Sequence, residues 1–305
     1  MTDLLLISII TLLLGSFIGF LCGIFGIGGG TIAVPAFLLL FTYFENSIKI
    51  PQSVLMLAVL ATTLCLILFT AFISIKQHKK YGNFRADIAS ALKYGFFAGG
   101  FIGSFIAKSL SNDILILLVV LLLYVNSAKL LFQKNNKNNK NNKNNKNNKN
   151  NKNNKNNKNN EIVQKNPDER LFSKNILLVF GFIAGIFSAI VGVGGAIFTI
   201  PFLLHCKVHI RQIIATSSSV IFYLSMGATL GYFLISLSLP NEIKIPYSFG
   251  LIYLPALFGS LIGSLIFSKI GVKVAQKINE NILTKMLGIL FLFLGTFMIS
   301  KTNFF

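Results

Sequence analysis

The chain has 305 residues, of which 53% are hydrophobic and only 12% charged, with a mean hydropathy of +0.70; a water-soluble globule of that composition would lack the polar residues to cover itself, so lipid is its expected solvent. The net charge of +19 would suggest nucleic acid if read alone, yet nine of those charges are lysines of one tract at 134–158, and removing them leaves +10. The rest cluster in short segments between apolar runs, as in cytoplasmic loops of membrane proteins, which argues against a nucleic-acid partner.

In chain order, the apolar segments fall near 4–25, 31–44, 52–75, 88–107, 113–132, 174–191, 196–206, 210–236, 248–268 and 282–300. Asp3 is the single charge ahead of the first, with no basic stretch before it, so that segment is expected to remain as a membrane helix rather than be cleaved. Between the fifth and sixth lies a repeated Asn-Asn-Lys tract without an apolar residue, a composition that cannot bury enough surface to fold. The expected domains are a first transmembrane repeat at 1–133, a disordered cytoplasmic linker at 134–172 and a second transmembrane repeat at 173–305.

A shift of 166 residues superimposes GSFIGFLCGIFGIGGGTIAVPAFLLL, from Gly15, on GFIAGIFSAIVGVGGAIFTIPFLLHC, from Gly181, without a gap. Gly15, Gly19, Gly26, Gly28, Gly29 and Pro35 then fall on Gly181, Gly185, Gly192, Gly194, Gly195 and Pro201. Later strings match more loosely: AVLATTL at 58–64 with IIATSSS at 213–219, and GGFIGSF at 99–105 with GSLIGSL at 259–265. In the first half the basic residues Lys76, Lys79, Lys80 and Arg85 follow the third segment. The corresponding stretch at 238–247 carries only Glu242 and Lys244, and basic residues appear on either side instead: Lys207 and Arg211 before, Lys269, Lys273 and Lys277 after. Five crossings per half satisfy the positive-inside rule at each of these loops, with both termini outside. The expected fold is therefore an all-α polytopic membrane protein of about ten transmembrane segments in two inverted five-segment repeats with glycine-broken helices. The alternative is that the short second and seventh segments are re-entrant loops.

Each half has a first helix that runs into a glycine cluster, GIGGG at 26–30 or GVGGA at 192–196, with a proline a few residues later. Glycine costs about 1 kcal/mol per helical position relative to alanine, so such a cluster favours unwinding. In lipid, unwound backbone is tolerated only where protein or a water-filled cavity satisfies it. The segments that follow are too short for an upright crossing, and their N-termini, with unpaired N–H groups and the positive end of the helix dipole, suit an anion. Hydroxyls at Thr62 and Thr63 and at Thr216, Ser217, Ser218 and Ser219 add donors. The candidate solute-binding residues are Gly28, Gly29, Gly30, Thr31, Thr62, Thr63, Gly192, Gly194, Gly195, Thr216, Ser217 and Ser218. Gly15, Gly19, Gly99, Gly103, Gly259 and Gly263 are read instead as close-packing positions.

Lys93, Lys129 and Lys285 lie near enough to segment ends to snorkel, and no carboxylate sits mid-segment, so no proton relay is visible. His205 and His209 flank a loop beside Lys207 and Arg211, either as solvated residues or as an anion-attracting entrance. Cys22, Cys65 and Cys206 show no metal or disulfide spacing and read as small buried hydrophobes. Neither a metal site nor a nucleophile–base pair is evident, so no enzyme and no cofactor is expected.

The chain resembles the sulfite exporter TauE/SafE family of membrane permeases in GIFGIGGGTIAVP at 23–35, LATTL at 60–64, KQHKKYGNFR at 76–85, AIVGVGGAIFTIP at 189–201 and IATSSSV at 214–220. The resemblance implies transport of sulfite, a sulfonate or a related small sulfur or organic oxyanion, with the glycine and Thr/Ser motifs near the path. Two departures are Ala196, in place of the third glycine of the second motif, and the unusual tether. The implied location is the plasma or bacterial inner membrane, and the implied partners are a small anionic solute, membrane lipid and, in a homo-oligomer, further copies of the chain. A rival reading is a membrane scaffold that recruits partners through the lysine-rich linker.

Overall fold

A computed structural model describes residues 2–25, 29–80, 84–132, 173–206, 208, 210–240, 245–275 and 280–301. The tether expected at 134–172 lies outside the described residues, as do Gly28, Lys207 and His209. The elements are α1 (Thr2–Phe25), α2 (Gly30–Tyr43), a single turn α3 (Glu45–Ile48), a 3-10 turn (Gln52–Val54), α4 (Leu55–Lys80), α5 (Ala86–Lys108) and α6 (Asn112–Phe132), followed by α7 (Lys174–Val191), α8 (Ala196–His205), α9 (Ile210–Leu237), α10 (Leu254–Ala275) and α11 (Glu280–Lys301). Apart from α3, each helix coincides with one of the apolar segments expected from sequence.

One boundary differs. The stretch at 248–253, expected to be helical, is an antiparallel hairpin of β1 (Ser248–Phe249) and β2 (Ile252–Tyr253). Tyr247 and Gly250 have φ of 56° and 63°, the left-handed region in which a right-handed helix cannot start. The helix begins at Leu254, with Pro255 in its first turn, where a missing N–H costs no intrahelical bond.

By length and composition, four helical stretches among the described residues can each cross a membrane: Gln52–Lys76, Lys174–Val191, Ala215–Leu237 and Leu254–Gly271. Shorter apolar stretches run over Leu6–Leu21, Gly30–Tyr43, Asn112–Ala128 and Gly288–Ser300. The outer surface carries large apolar side chains: Leu13 of α1 and Phe293 of α11 are 61% and 60% exposed. Leu121 of α6 and Phe187 of α7 are exposed too, as lipid-facing positions are. Lys76 and Lys93 lay their ammonium groups over Phe72 and Tyr94, 4.4 and 4.5 Å from the ring centroids.

Glycines set the close helix contacts and reveal helix directions. Gly15 and Gly19 of α1 lie against the backbone of Ser260 and Ser264 of α10, so these two helices run parallel. Gly95, Gly99 and Gly103 of α5 meet α7 successively at Leu178, Phe182 and Ile186, again parallel. Gly100 of α5 faces Leu224 of α9, and Gly231 of α9 faces Ser104, a third parallel pair. In contrast, α4 and α9 run antiparallel: the hydroxyls of Ser74 and Ser218 are 3.2 Å apart and the rings of Phe72 and Phe222 are 5.9 Å apart. Likewise α6 and α11 are antiparallel, with the Ser127 hydroxyl donating to Gly288 O at 2.8 Å and Gly295 beside Tyr124.

These pairings survive an exchange of halves. Replacing α1, α2, α4, α5 and α6 by α7, α8, α9, α10 and α11, and the reverse, turns the α1–α10 contact into α7–α5 and the α2–α4 contact into α8–α9, while α4–α9 and α6–α11 map onto themselves; all of these contacts are present. Packing also fixes the register. Gly263 abuts Leu12 O and Ser16 N as Gly95 abuts Leu178 O and Phe182 N, so Gly263 is the counterpart of Gly95. The strings GGFIGSF and GSLIGSL pair Gly99 with Gly259 instead, eight residues away from that register. Small residues recur every four positions in both strings, so a string match slips by whole turns, whereas backbone contact does not.

Candidate solute site at the helix breaks

The second break is built by a helix terminus. Gly192 has φ +71°, its N–H bonds to Ser188 O, and the next amide, Val193 N–H, bonds to the same carbonyl at 3.1 Å. This is a Schellman-type ending, which needs the left-handed conformation that glycine adopts without a Cβ penalty. The chain restarts as α8, in which Phe198 and Thr199 N–H both bond to Gly195 O, at 3.2 and 3.0 Å. On the other side, α2 restarts at Gly30, with Ile32 and Ala33 N–H bonding to Gly29 O at 3.2 and 2.9 Å. The amides at the head of each helix, Gly30 and Thr31 or Gly195 and Ala196, precede any intrahelical acceptor. At about 21 Å and 15 Å, α2 and α8 fall short of the ~30 Å of hydrocarbon, being 14 and 10 residues long.

The two breaks meet. A Cβ on Gly30 would overlap the carbonyl oxygen of Gly192, with Ile67 Cδ1 at 2.8 Å and Gly194 N at 3.1 Å. A Cβ on Gly192 would overlap Leu60 Cδ2 and lie 2.8 Å from Val34 of α2; one on Gly195 would lie 2.7 Å from the Phe96 ring. Gly29 is half-buried beside them and Thr31 fully buried. Gly30, Gly192 and Gly194 are thus brought into one backbone-to-backbone junction against α4.

The hydroxyls divide by role. Thr62 and Thr216 are equivalent: each donates to the carbonyl four residues back, Ala58 or Gln212, at 2.7 Å. Thr62 also accepts the Tyr253 N–H at 3.1 Å, tying α4 to the strand that precedes α10. The next residues, Thr63 and Ser217, are both buried with no hydrogen-bond partner. Thr63 shares a face of α4 with Leu60 and Ile67, the two side chains touching the glycine junction, because positions three, four and seven apart line one side of a helix. Ser218 bonds to Ser74, which lies eleven residues beyond Thr63, about 16 Å along α4. The hydroxyls of α4 and α9 therefore fall on two levels, with Thr63 at that of the junction and Ser218 at the other.

Two further buried hydroxyls, Ser188 and Thr229, also lack a partner. Sequence comparison of the halves passes over them because their counterparts, at shifts of 166 and 154, are Cys22 and Ile75. The signal available was a polar residue in an apolar run one turn ahead of a glycine break. Apart from the hydroxyls of Tyr232 and Tyr253, the buried polar side chains among the described residues are Ser and Thr. No group of three His, Cys, Asp or Glu lies together among these residues. His205 is exposed, and the rest of the possible anion entrance, His209, Lys207 and the Arg211 side chain, lies outside what is described.

An apolar bundle of helices with large apolar side chains on its exterior and two adjoining backbone breaks defines a multi-pass membrane protein. The profile of the family described as Sulfite exporter TauE/SafE matches residues 11–298. Of curated proteins, the chain is 27% identical over 256 residues to a probable membrane transporter protein of Haemophilus influenzae, covering 82% of each chain. It is 25% identical over 236 residues to one of Methanocaldococcus jannaschii, covering 75% of this chain and 74% of that one. It is also 28% identical over 116 residues to the probable membrane transporter protein YunE of Bacillus subtilis, 38% of each chain. No solved structure matches. The chain belongs to the sulfite exporter TauE/SafE family, and it is a membrane transporter rather than an enzyme.

Proposed function

We propose that the protein is a permease for a small anion, namely sulfite, a sulfonate or a related sulfur or organic oxyanion, working by alternating access at a site formed by the two glycine breaks. Residues 1–133 and 173–305 form inverted repeats of five crossings, joined by the linker at 134–172. The antiparallel α4–α9 and α6–α11 pairs support inversion, because each joins a helix to its own counterpart.

One observation carries this reading: Gly30 abuts Gly192 and Gly194. A solute beside this contact would meet amides at the heads of α2 and α8 and the Thr63 hydroxyl, with no buried formal charge needed to hold a negative group. The family description and the names of the relatives agree with a transported solute of this class.

The test is uptake of radiolabelled sulfite and sulfonates into proteoliposomes, comparing wild type with Gly29→Leu and Gly195→Leu. Both variants are expected to lose transport, and unchanged flux in both would remove the breaks from the mechanism. Deleting residues 134–160 is expected to leave flux intact; a loss of activity there would favour a recruiting role for the linker.

A further inference from the structure

Thr63, Ser188 and Thr229 belong to three different helices, and three independent registers bring them to one level. From the Ser74–Ser218 hydroxyl contact, eleven residues back along α4 is Thr63, and eleven residues on along the antiparallel α9 is Thr229. Gly103 of α5 lies against Ala189 of α7, and the neighbouring Ser104 lies against Gly231 of α9, so Ser188 stands level with Thr229. The hydroxyl of Tyr232, one turn from Thr229, donates to Ala189 O at 3.2 Å and holds that face of α9 against the end of α7. Leu60, one turn from Thr63, contacts Gly192, and Ser188 O takes the two amide bonds that close the helix there.

Each of the three hydroxyl oxygens is shielded and unpaired, and Thr63 and Ser188 have no exposed surface. This is unusual for helix hydroxyls, whose easy partner is the carbonyl four residues back. Thr62, Thr199, Thr216 and Ser225 all take it. Leaving a buried hydroxyl unmatched is unfavourable, so three at one level, beside a pair of helix heads, point to a ligand that matches them.

We propose that Thr63, Ser188 and Thr229 form a three-hydroxyl cradle at the second break that takes the three-oxygen head of sulfite or a sulfonate, one donor per oxygen. This rests on the anion-permease reading above and adds residues and a selection rule to it. A planar carboxylate can reach all three donors only by sharing one oxygen between two of them, which pulls at least one bond off line, so the cradle selects against it. It belongs to one break alone: at the first, Cys22 and Ile75 stand where Ser188 and Thr229 stand at the second.

The experiment uses the full-length chain in proteoliposomes and compares uptake of isethionate with that of 3-hydroxypropanoate, which carries a carboxylate in place of the sulfonate. Ser188→Ala, Thr63→Val and Thr229→Val are each expected to raise the KM for isethionate by about tenfold and to lower the sulfonate-over-carboxylate preference by a similar factor, as loss of one hydrogen bond to a charged group does. Thr63→Ser, which keeps the hydroxyl, is expected to retain the preference. A purely structural defect would depress both substrates together. An unchanged preference in all three variants, with isethionate still carried, overturns the cradle and leaves the permease standing; a wild type that carries no anion overturns both.

Discussion

Gly30 and Gly192 touch backbone to backbone: the α-carbon of one faces the carbonyl oxygen of the other with no room for a side chain between them. Gly30→Ala therefore drives a methyl group into a main-chain atom that cannot rotate away. Overpacking of this kind costs about 1–3 kcal/mol. The expected outcome is a lowered melting temperature of the purified protein together with loss of flux.

Gly192→Ala fails for two separable reasons. The left-handed φ of +71° disfavours any Cβ, by about 1 kcal/mol, and the methyl group meets Val34 Cγ2 at 2.8 Å and, more closely, Leu60 Cδ2, the far end of a flexible side chain. Leu60→Ala clears that contact. Melting of the Gly192→Ala/Leu60→Ala double variant is expected to show a loss smaller than the sum of the two single losses, whereas additive losses would show that the two side chains do not compete for space.

Thr62 is a structural hydroxyl, and its removal should separate stability from selectivity. Thr62→Val leaves the buried Tyr253 N–H without its acceptor, at a cost of about 1–3 kcal/mol. Thr62→Ser keeps the oxygen. Thermal melts should rank wild type and Thr62→Ser together and Thr62→Val below, with the ratio of sulfonate to carboxylate uptake unmoved in both variants.

The register of the fourth helices is open to a direct comparison. A Cβ on Gly263 meets the Leu12 carbonyl oxygen and, at 2.6 Å, Ser16 N, both main chain, whereas one on Gly259 meets chiefly the Thr11 hydroxyl. Gly263→Ala must push α10 away from α1; Gly259→Ala need only turn Thr11 aside, losing its bonds to Ser8 O and Pro255 O. Melting is expected to be lowered more by Gly263→Ala.

At the start of α5, Arg85 holds Asp87 through two hydrogen bonds, at 2.9 and 2.6 Å, and that contact keeps the Asp87 carboxyl below its ordinary value. A carboxyl held lower in the folded state than in the unfolded one adds stability above the ordinary carboxylate range, and this is lost as pH falls through its lowered value. The pair is largely exposed, so the contribution is under about 1 kcal/mol. Asp87→Asn is expected to shift melting slightly near neutral pH and not at all in strong acid.

Much of this architecture is legible in the chain itself. Consecutive glycines at 28–30 and 194–195 mark the breaks because no helix tolerates them cheaply, and each of the ten apolar runs holds a helix because in lipid the backbone must satisfy its own hydrogen bonds. The start of α10 is not legible: the left-handed residue Tyr247 is no glycine, and its conformation is tied to the Tyr247 O–Leu254 N–H bond, which is tertiary detail. Thr62 and Thr63 are adjacent and chemically alike, yet one is spent on Tyr253 and the other is unpaired, a difference that arises only from which neighbour each helix face meets. Ser188 and Thr229 escape a comparison of halves because the halves differ there.

The parallel pairing of α1 with α10 has a consequence for how the protein is made. The glycine face of α1 emerges from the ribosome long before the helix that covers it, which α2 to α9 separate from it in the chain. Until then Gly15 and Gly19 lack the backbone they pack against, as do Gly95, Gly99 and Gly103 of α5 until α7 arrives. A translation product halted before residue 254 would therefore hold inserted but unlatched helices, and the final α10 acts as the bolt that completes assembly.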